Sequence, residues 1–321
     1  RRRTSCPIGV MMSRTVYWIS YDDKIDYRSQ HFFNSIESFT DVKVKKFNSV
    51  RPLNRHGQHL IFLQTISTCI HKLRKEIPIL KRKNLLQKSF ILSVDDIPFY
   101  ESNPVPVIDL TGSNGRHIAG YGFTPNVEGL EHLGEKPFKE RRDEFRFFGS
   151  LHGQPRRSFL RKLHQSCETN YSVMKGVDFK NKKHPKFFEK FISEPLSFDE
   201  YLYDMSLYKF SLVPKGFGHT FRFLESMAMG SVIISDDISD LQFCKNVFTE
   251  GYNYLSVGKN FTNLEEVISL CKKPEVESIA RNGRETYLKH FSIKGGCLPV
   301  STISPILSDI NTSIGHKFFQ P

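Results

Sequence analysis

Short apolar segments alternate with helix-like patterns along the first third of the chain. Strands are predicted at TVYWIS (15–20), DVKVKKF (41–47), SFILSVDD (89–96) and PVPVIDL (104–110). Each is short, rich in β-branched residues and bounded by turn residues, as buried strands usually are. Between them, residues 28–39 and 58–77 carry apolar side chains at helical spacing, as at Leu60, Leu63 and Ile70. The resulting β-α-β-α-β order predicts a parallel sheet with helices on its faces.

The same alternation returns in the rest of the chain. Strands are predicted at 145–150, 171–179, 209–214 and 231–237, and helices at 155–167, 197–208, 220–229, 264–271 and 274–291. The segment 131–144 between the two series is polar and charged, has no apolar face, and is predicted to be a linker. The pattern therefore predicts an α/β protein with two domains of similar size rather than one continuous sheet.

Composition excludes several classes of protein. Hydrophobic residues make up 39% of the 321 positions, which is enough for a large core and argues against disorder. The six cysteines include no C-x-x-C pair, which argues against a zinc ribbon or a redox motif, and they are predicted to be buried thiols. No apolar run of about 18 residues is present, so no transmembrane segment is predicted. The compartment stays open between the cytoplasm and the Golgi lumen.

The formal net charge of +12 is compatible with three kinds of partner: nucleic acid, an anionic membrane surface, or a phosphorylated or acidic substrate. A basic nucleic-acid-binding protein is therefore one alternative. It would be expected to carry aromatics interleaved with Lys and Arg on one strand, and no such segment is found.

The stretch FSLVPKGFGHTFRFLESMAMGSVIISDD (210–237) reads as strand, loop, helix and strand. In parallel sheets, ligands bind beyond the carboxyl ends of the strands, where such loops lead into helices. Gly216 and Gly218 lie in the loop and let the backbone approach an anion closely. The helix that begins at Thr220 offers unpaired N–H groups to a phosphate. The order of residue types thus predicts a phosphate-binding loop.

Two charged residues of this helix extend the prediction. Arg222, in the first turn, can clamp two phosphate oxygens with its forked guanidinium. Glu225 lies three residues on and can accept hydrogen bonds from a pair of sugar hydroxyls. Together they predict a site for a nucleotide diphosphate, with its ribose alongside. The alternative is a solvated ion pair between Arg222 and Glu225.

This stretch resembles the donor-site segment of GT-B glycosyltransferases, and more narrowly that of exostosin-like enzymes. The shared pattern is F-x-L-x-P-x-G, an arginine, a glutamate three residues later, and then A-x-G-x-x-P-V-I. The resemblance covers about residues 142–292, including EGYNYL (250–255) and FRFFGS with PRRSFLRKL (145–163). Ser231 stands where the family usually has proline, and His219 where it has a small or acidic residue.

The resemblance implies two Rossmann-like domains that face each other across a cleft, the GT-B arrangement. Residues 1–135 would bind the acceptor, residues 136–297 the nucleotide-sugar donor, and the tail 298–321 would return to the first domain. The implied activity is sugar transfer from a UDP-type or GDP-type donor to a glycan or glycoconjugate acceptor. The net charge then fits either an anionic acceptor or simply the phosphates of the donor. A catalytically inactive sugar-nucleotide-binding module is the second alternative.

Further donor contacts follow from the same resemblance. An arginine at the start of helix 155–167 would reach the diphosphate, and Arg157 is favoured over Arg156 because the two point about 100° apart. A solvated basic helix face is the alternative reading. His219 and Glu250 would contact the ribose or sugar, although Glu250 fits a turn equally well.

Transfer with inversion needs a base to deprotonate the acceptor hydroxyl. Asp95 and Asp96 are the leading candidates and Asp22 is the next, while Asp23 and Asp109 also follow predicted strands; each fits a helix cap or a turn as well. No D-x-D motif is present, so no metal or cofactor is expected, and arginine and the helix dipole would stabilise the leaving group. Inversion and retention stay open.

Overall fold

The structure is a computed structural model. It describes residues 15–21, 30, 32–34, 36–37, 42–54, 59–65, 69–93, 107–109, 118–119, 127, 129–149, 151, 154–167, 169–174, 191–214, 222–238, 247–258 and 261–292. Among these residues, no helix is long and apolar enough to cross a membrane.

Among the described residues, the first unit is a six-stranded parallel sheet. Its strands are β1 (Thr15–Ser20), β2 (Lys43–Phe47), β3 (His59–Thr65), β4 (Ser89–Ser93), β5 (Val107–Asp109) and β6 (Ile118–Ala119). They lie in the order β2-β1-β3-β4-β5-β6. Helix α1 (Ile70–Arg82) follows β3, and residues 30, 32–34 and 36–37 are also helical.

The prediction of a helix over residues 58–77 is wrong in its first half, because residues 59–65 form strand β3. Leu60, Phe62 and Leu63 are all buried, on both faces of the strand. A central parallel strand covered on both faces needs a continuous apolar run, which periodicity alone does not distinguish from a buried helix.

The second unit, as far as it is described, is also a six-stranded parallel sheet. Its strands are β7 (Arg142–Gly149), β8 (Thr169–Met174), β9 (Ile192–Ser193), β10 (Tyr208–Val213), β11 (Val232–Asp236) and β12 (Leu255–Val257), in the order β12-β11-β10-β7-β8-β9. Its helices are α2 (Gln154–Ser166), α3 (Phe198–Ser206), α4 (Arg222–Ala228), α5 (Leu264–Cys271) and α6 (Val276–His290). The strand β12 was not predicted, because its three residues are too short to give a pattern.

The strand order of the second sheet determines where a ligand fits. The chain moves outward from β7 to β8 and β9, and then from β10 to β11 and β12 on the other side. This is the doubly wound order in which the direction reverses between the first and fourth strands. Loops on opposite faces leave a crevice at that point, so the carboxyl ends of β7 and β10 are the expected binding edge.

The segment 131–144, predicted to be a linker, is packed against the second unit as far as strand β7. The Arg141 guanidinium donates from Nη1 to the Met229 carbonyl (2.6 Å) and from Nη2 to the Gly134 carbonyl (3.0 Å). Arg284 of α6 donates to the carbonyl of Glu131 (3.1 Å). The predicted domain boundary between residues 135 and 136 falls within this segment and stays a prediction.

Candidate functional site

Arg222 lies at the point where the second sheet reverses direction. It is the first residue of α4, and its Nη1 donates a hydrogen bond to the carbonyl of Phe148, near the end of β7. Its Cζ lies 5.7 Å from the centre of the Phe147 ring. The guanidinium is half-buried, and no other hydrogen bond from it is found among the described residues. Arg222 therefore keeps donors available at the binding edge that the topology indicates.

Gly149, the last residue of β7, makes room for this arginine. Its φ is +136°, a conformation that residues with a side chain rarely adopt. A Cβ placed on Gly149 would overlap the Arg222 guanidinium, at 2.6 Å from Cζ. The sequence predicted no site role for Gly149, because its neighbour Arg222 is 73 positions away in the chain.

Glu225 is buried, with 4% of its surface exposed, and accepts a hydrogen bond from the Tyr201 hydroxyl (2.7 Å). It forms no ion pair with Arg222, so the solvated-pair alternative is wrong. Burial raises the pKa of Glu225 to about 7, against the opposing effects of the Tyr201 hydrogen bond and the Arg222 charge. This carboxyl group thus changes protonation near neutral pH.

Tyr201 is a site residue that sequence reasoning missed. It lies on α3, and the edge of its ring meets Phe148 at 5.0 Å between ring centres. Its pKa is raised well above the usual value, mainly by burial and then by the charge of Glu225, so the hydroxyl stays a donor. Tyr201 and Glu225 are 24 positions apart in the chain, with strand β10 between them. No local sequence pattern therefore indicates their contact.

An ion pair fixes the helix that carries Tyr201. Arg146 of β7 contacts Asp204 of α3, with 2.5 Å between Nη2 and Oδ2. The guanidinium also lies over the rings of Phe148 (4.4 Å) and Tyr208 (5.0 Å). The pair holds α3 against the strand that receives Arg222.

Arg157 lies beside the same strand end. Its Nη1 donates to the carbonyl of Leu151 (2.9 Å), three residues after the carbonyl that binds Arg222. Arg156 is buried, with 4% exposed, whereas Arg157 is half-buried. The structure thus brings Arg222 to the end of β7 and Arg157 to the residues just after it, and the diphosphate role of Arg157 stays a prediction.

Glu250 is exposed, and it forms an isolated β-bridge with Tyr254. Burial, followed by the charges of Glu250 and Asp237, raises the pKa of Tyr254 to about 12. The Tyr254 ring lies 5.6 Å from Phe223 of α4, so this loop packs on the helix that carries Arg222. A ligand contact of Glu250 stays a prediction.

Several predicted residues lie outside the described residues: Gly216, Gly218, His219, Thr220, Asp22, Asp95 and Asp96. The same holds for the tail 298–321. The strands that precede these positions end at Ser20, Ser93 and Val213. Within the part of the chain that is described, no group of three His, Cys, Asp or Glu side chains is arranged to hold a metal ion.

No protein-family profile and no curated protein sequence matches the chain. Among solved structures, an α1,3-fucosyltransferase with GDP resembles it at 12% identity and a TM-score of 0.55, over 99% of this chain and 96% of its own. Anabaena Alr3699/HepE in complex with UDP resembles it at 12% identity and a TM-score of 0.52, over 93% of this chain and all of its own. With its two parallel-sheet α/β units, the chain has the GT-B fold of two Rossmann-like domains.

Proposed function

We propose that the protein is a glycosyltransferase that moves a sugar from a nucleotide-diphosphate sugar to a hydroxyl of a glycan or glycoconjugate. The fold supports this, since the two similar structures are an α1,3-fucosyltransferase with GDP and HepE with UDP. The exostosin-like pattern of residues 210–237 supports a donor site in the second unit.

One observation carries the proposal. Arg222 contacts the end of β7 beside a glycine that leaves space for it, and the buried Glu225 lies one helical turn away. Cationic donors and an acidic acceptor therefore meet at the switch point of a doubly wound sheet, where nucleotides bind. A diphosphate and a ribose need this combination of donors and acceptor.

The roles follow from the chemistry of each group. Arg222 and Arg157 bind the diphosphate, with the backbone of Gly216 and Gly218 and the helix start at Thr220. Glu225 accepts hydrogen bonds from the ribose hydroxyls, and Tyr201 holds its carboxylate in place. His219 and Glu250 contribute to the ribose or sugar contacts.

In the transfer, the acceptor oxygen forms a bond to the anomeric carbon while the bond from that carbon to the diphosphate breaks. The proton of the acceptor hydroxyl passes to a carboxylate of the first unit, for which Asp95, Asp96 and Asp22 are the candidates. The departing diphosphate gains negative charge, which the two guanidinium groups stabilise. We propose that this stabilisation takes the place of a metal ion.

The donor site is tested by thermal shift with UDP, GDP, CMP and their sugars. A nucleotide that binds only the folded state stabilises it by about 2.7 kcal/mol when its concentration is about 100 times its Kd. The melting temperature rises as a result. Arg222→Ala is expected to abolish the shift. Arg281→Ala, an exposed arginine of α6, is the matched control and should keep it. An unchanged shift in Arg222→Ala would contradict the site.

Activity is tested separately. The nucleotide sugar that gives the shift is incubated with and without a mixture of glycan acceptors, and free nucleotide is measured. Release above background supports an enzyme, whereas binding without release in either condition supports the inactive sugar-nucleotide-binding module. Tight, strongly salt-dependent binding of RNA with no nucleotide shift would favour the nucleic-acid-binding alternative.

A further inference from the structure

The positive charge of the chain is concentrated in one segment of the first unit. Residues 42–93 contain 12 of the 46 Lys and Arg of the chain but only one of its 34 Asp and Glu. About a sixth of the chain thus carries almost all of the net charge of +12. By contrast, residues 127–292 hold 25 basic and 23 acidic residues.

The fold brings this charge to one surface. We call the exposed Lys and Arg side chains of β2, of loop 48–54 and of α1 the basic surface; nine of these side chains are exposed. The one acid of the segment, Glu76, is directed at the loop after β2, where it accepts hydrogen bonds from the Ser49 hydroxyl and the Val50 amide, both at 3.0 Å. Glu76 is therefore held by the loop and does not lie among the exposed cations. Beside β2, the exposed Glu37 accepts a hydrogen bond from the Val44 amide (2.9 Å).

The basic surface begins at the edge of the sheet where ligands bind. Lys72, in the first turn of α1, donates to the carbonyl of Tyr21 (2.8 Å), which directly follows the carboxyl end of β1. From there α1 runs for 13 residues, or about 20 Å. The surface thus leads away from the edge at which an acceptor hydroxyl would meet the donor.

The surface also bends around the sheet. β2 is an edge strand, and Lys45 and Lys46 point to opposite faces of it. The Lys46 ammonium lies 5.2 Å from the Trp18 ring, while Lys45 shares the face of Phe47, which packs in the cluster beneath α1. On α1, the exposed cations spread over about half of the circumference. A flexible chain can follow this curvature, whereas a flat membrane touches one side of it.

Within the described part of the first unit, no exposed large apolar side chain lies beside the cations. Among the described residues, the exposed large hydrophobic side chains are Leu196, Tyr203 and Tyr252, and all three belong to the second unit. Membrane-surface helices insert apolar side chains between lipids, and proteins that bind single-stranded nucleic acid stack bases on aromatic rings. A surface with repeated positive charge, but without exposed apolar side chains or aromatic rings, favours a hydrophilic polyanion as its ligand.

We propose that the basic surface binds an acceptor glycan that carries repeated negative charges, and guides its end to the carboxyl edge of the first sheet. This inference rests on the proposed glycosyl transfer for the nature of the partner. The lysines and arginines bind the anionic groups along the glycan, several sugars away from the reacting hydroxyl.

The test measures binding of the full chain to a polygalacturonate oligosaccharide and to its methyl ester, which keeps the glycan chain and removes the charge. The triple variant Lys45→Gln, Lys75→Gln, Lys81→Gln changes exposed residues of β2 and α1. A matched control replaces Lys272, Lys273 and Lys289 of the second unit, which are equally exposed, with glutamine.

The acid form is expected to bind and the ester to bind at least about tenfold more weakly. The basic-surface variant should lose about tenfold in affinity at low salt, and the control less than about threefold. Equal binding of acid and ester, or an unchanged affinity in the basic-surface variant, would overturn the inference. So would tighter binding to phosphatidylglycerol vesicles or to poly(dT) than to the polygalacturonate.

The nucleotide thermal shift is measured on the same samples. It is expected to be equal in both triple variants, because none of these lysines belongs to the candidate nucleotide site. A chain with no nucleotide shift that still binds the polygalacturonate through the basic surface would contradict the proposed transfer alone. A normal shift without polygalacturonate binding would contradict the basic surface alone. A single cooperative melting transition in each triple variant verifies that the variant is folded.

Discussion

At the scale of single residues, the candidate site depends on how closely β7 and α4 approach each other. Gly149 is the residue that permits the approach, because any side chain there would occupy the place of the Arg222 guanidinium. Tyr201 and Glu225 complete the site through one hydrogen bond. Each of these contacts gives a prediction that involves a single side chain.

Gly149→Ala is expected to displace Arg222 and to weaken nucleotide binding at least about tenfold, the effect of losing roughly 1.4 kcal/mol of interaction. Gly129→Ala is the matched control, since Gly129 also has positive φ (+88°) but has open space around its Cβ position. Both variants should lose about 1–2 kcal/mol of stability from backbone strain. Calorimetric titration with the preferred nucleotide checks the difference, and equal affinities would contradict the role of Gly149.

Tyr201→Phe is expected to move the pH dependence of nucleotide binding. The Tyr201 hydroxyl donates to the Glu225 carboxylate and favours its charged form, so its removal raises the pKa of Glu225 above about 7. If the ribose hydroxyls bind the carboxylate, affinity falls as the pH drops through this pKa, and in Tyr201→Phe it falls at a higher pH. Tyr203→Phe, an exposed tyrosine of the same helix, should keep the original profile. Superimposable profiles for all three proteins would show that Tyr201 has no positioning role.

At the scale of secondary-structure elements, α3 is held to the second sheet by its charged residues. The Ser197–Glu200 capping box fixes where α3 begins, and the Arg146–Asp204 ion pair attaches the helix to β7. The Arg146 side chain is 10% exposed, and that of Asp204 is 23% exposed. Removing one partner therefore leaves a largely buried charge without its counterion.

Asp204→Asn is expected to lower the free energy of unfolding by about 2–4 kcal/mol, because the Arg146 charge remains in a poorly solvated place. The matched control is Asp143→Asn in the pair with Lys209, in which the Asp143 side chain is 71% exposed and the contact is 3.5 Å; it should cost less than about 1 kcal/mol. Urea unfolding measures both values. Equal losses in the two variants would mean that the Arg146 pair does not anchor α3.

At the scale of the whole molecule, stability depends on the protons that the folded and unfolded chains bind. The unfolded pKa of a glutamate is about 4.3, whereas that of Glu225 in the folded chain is about 7. Between these values the folded chain binds more protons, so stability is greatest below the lower pKa and is lost as the pH rises through the higher one. Above about 7 the folded chain carries the full cost of a buried carboxylate.

Wild-type protein is accordingly expected to lose on the order of 3 kcal/mol from Glu225 between about pH 4.5 and about pH 7.5. Glu225→Gln removes this titration and should flatten that part of the stability profile. Glu285→Gln, an exposed residue of α6, is the control and should leave it unchanged. Urea unfolding across this pH range checks the prediction, and parallel profiles for wild type and Glu225→Gln would contradict the raised pKa.

The sequence by itself determined the alternation of strands and helices, the two α/β units, and the presence of a helix that carries Arg222 and Glu225. These features depend on residues that are close together in the chain, because the spacing of apolar residues indicates which face of a helix or strand is buried. Strand β3 was missed because a strand buried on both faces has no alternation. The tertiary structure alone decided that Gly149 lies against Arg222, that Tyr201 binds Glu225, and that the cations of β2 and α1 share one surface. The physical reason is that parallel sheets join strands through long crossovers, so residues that meet at a strand end are far apart in the chain.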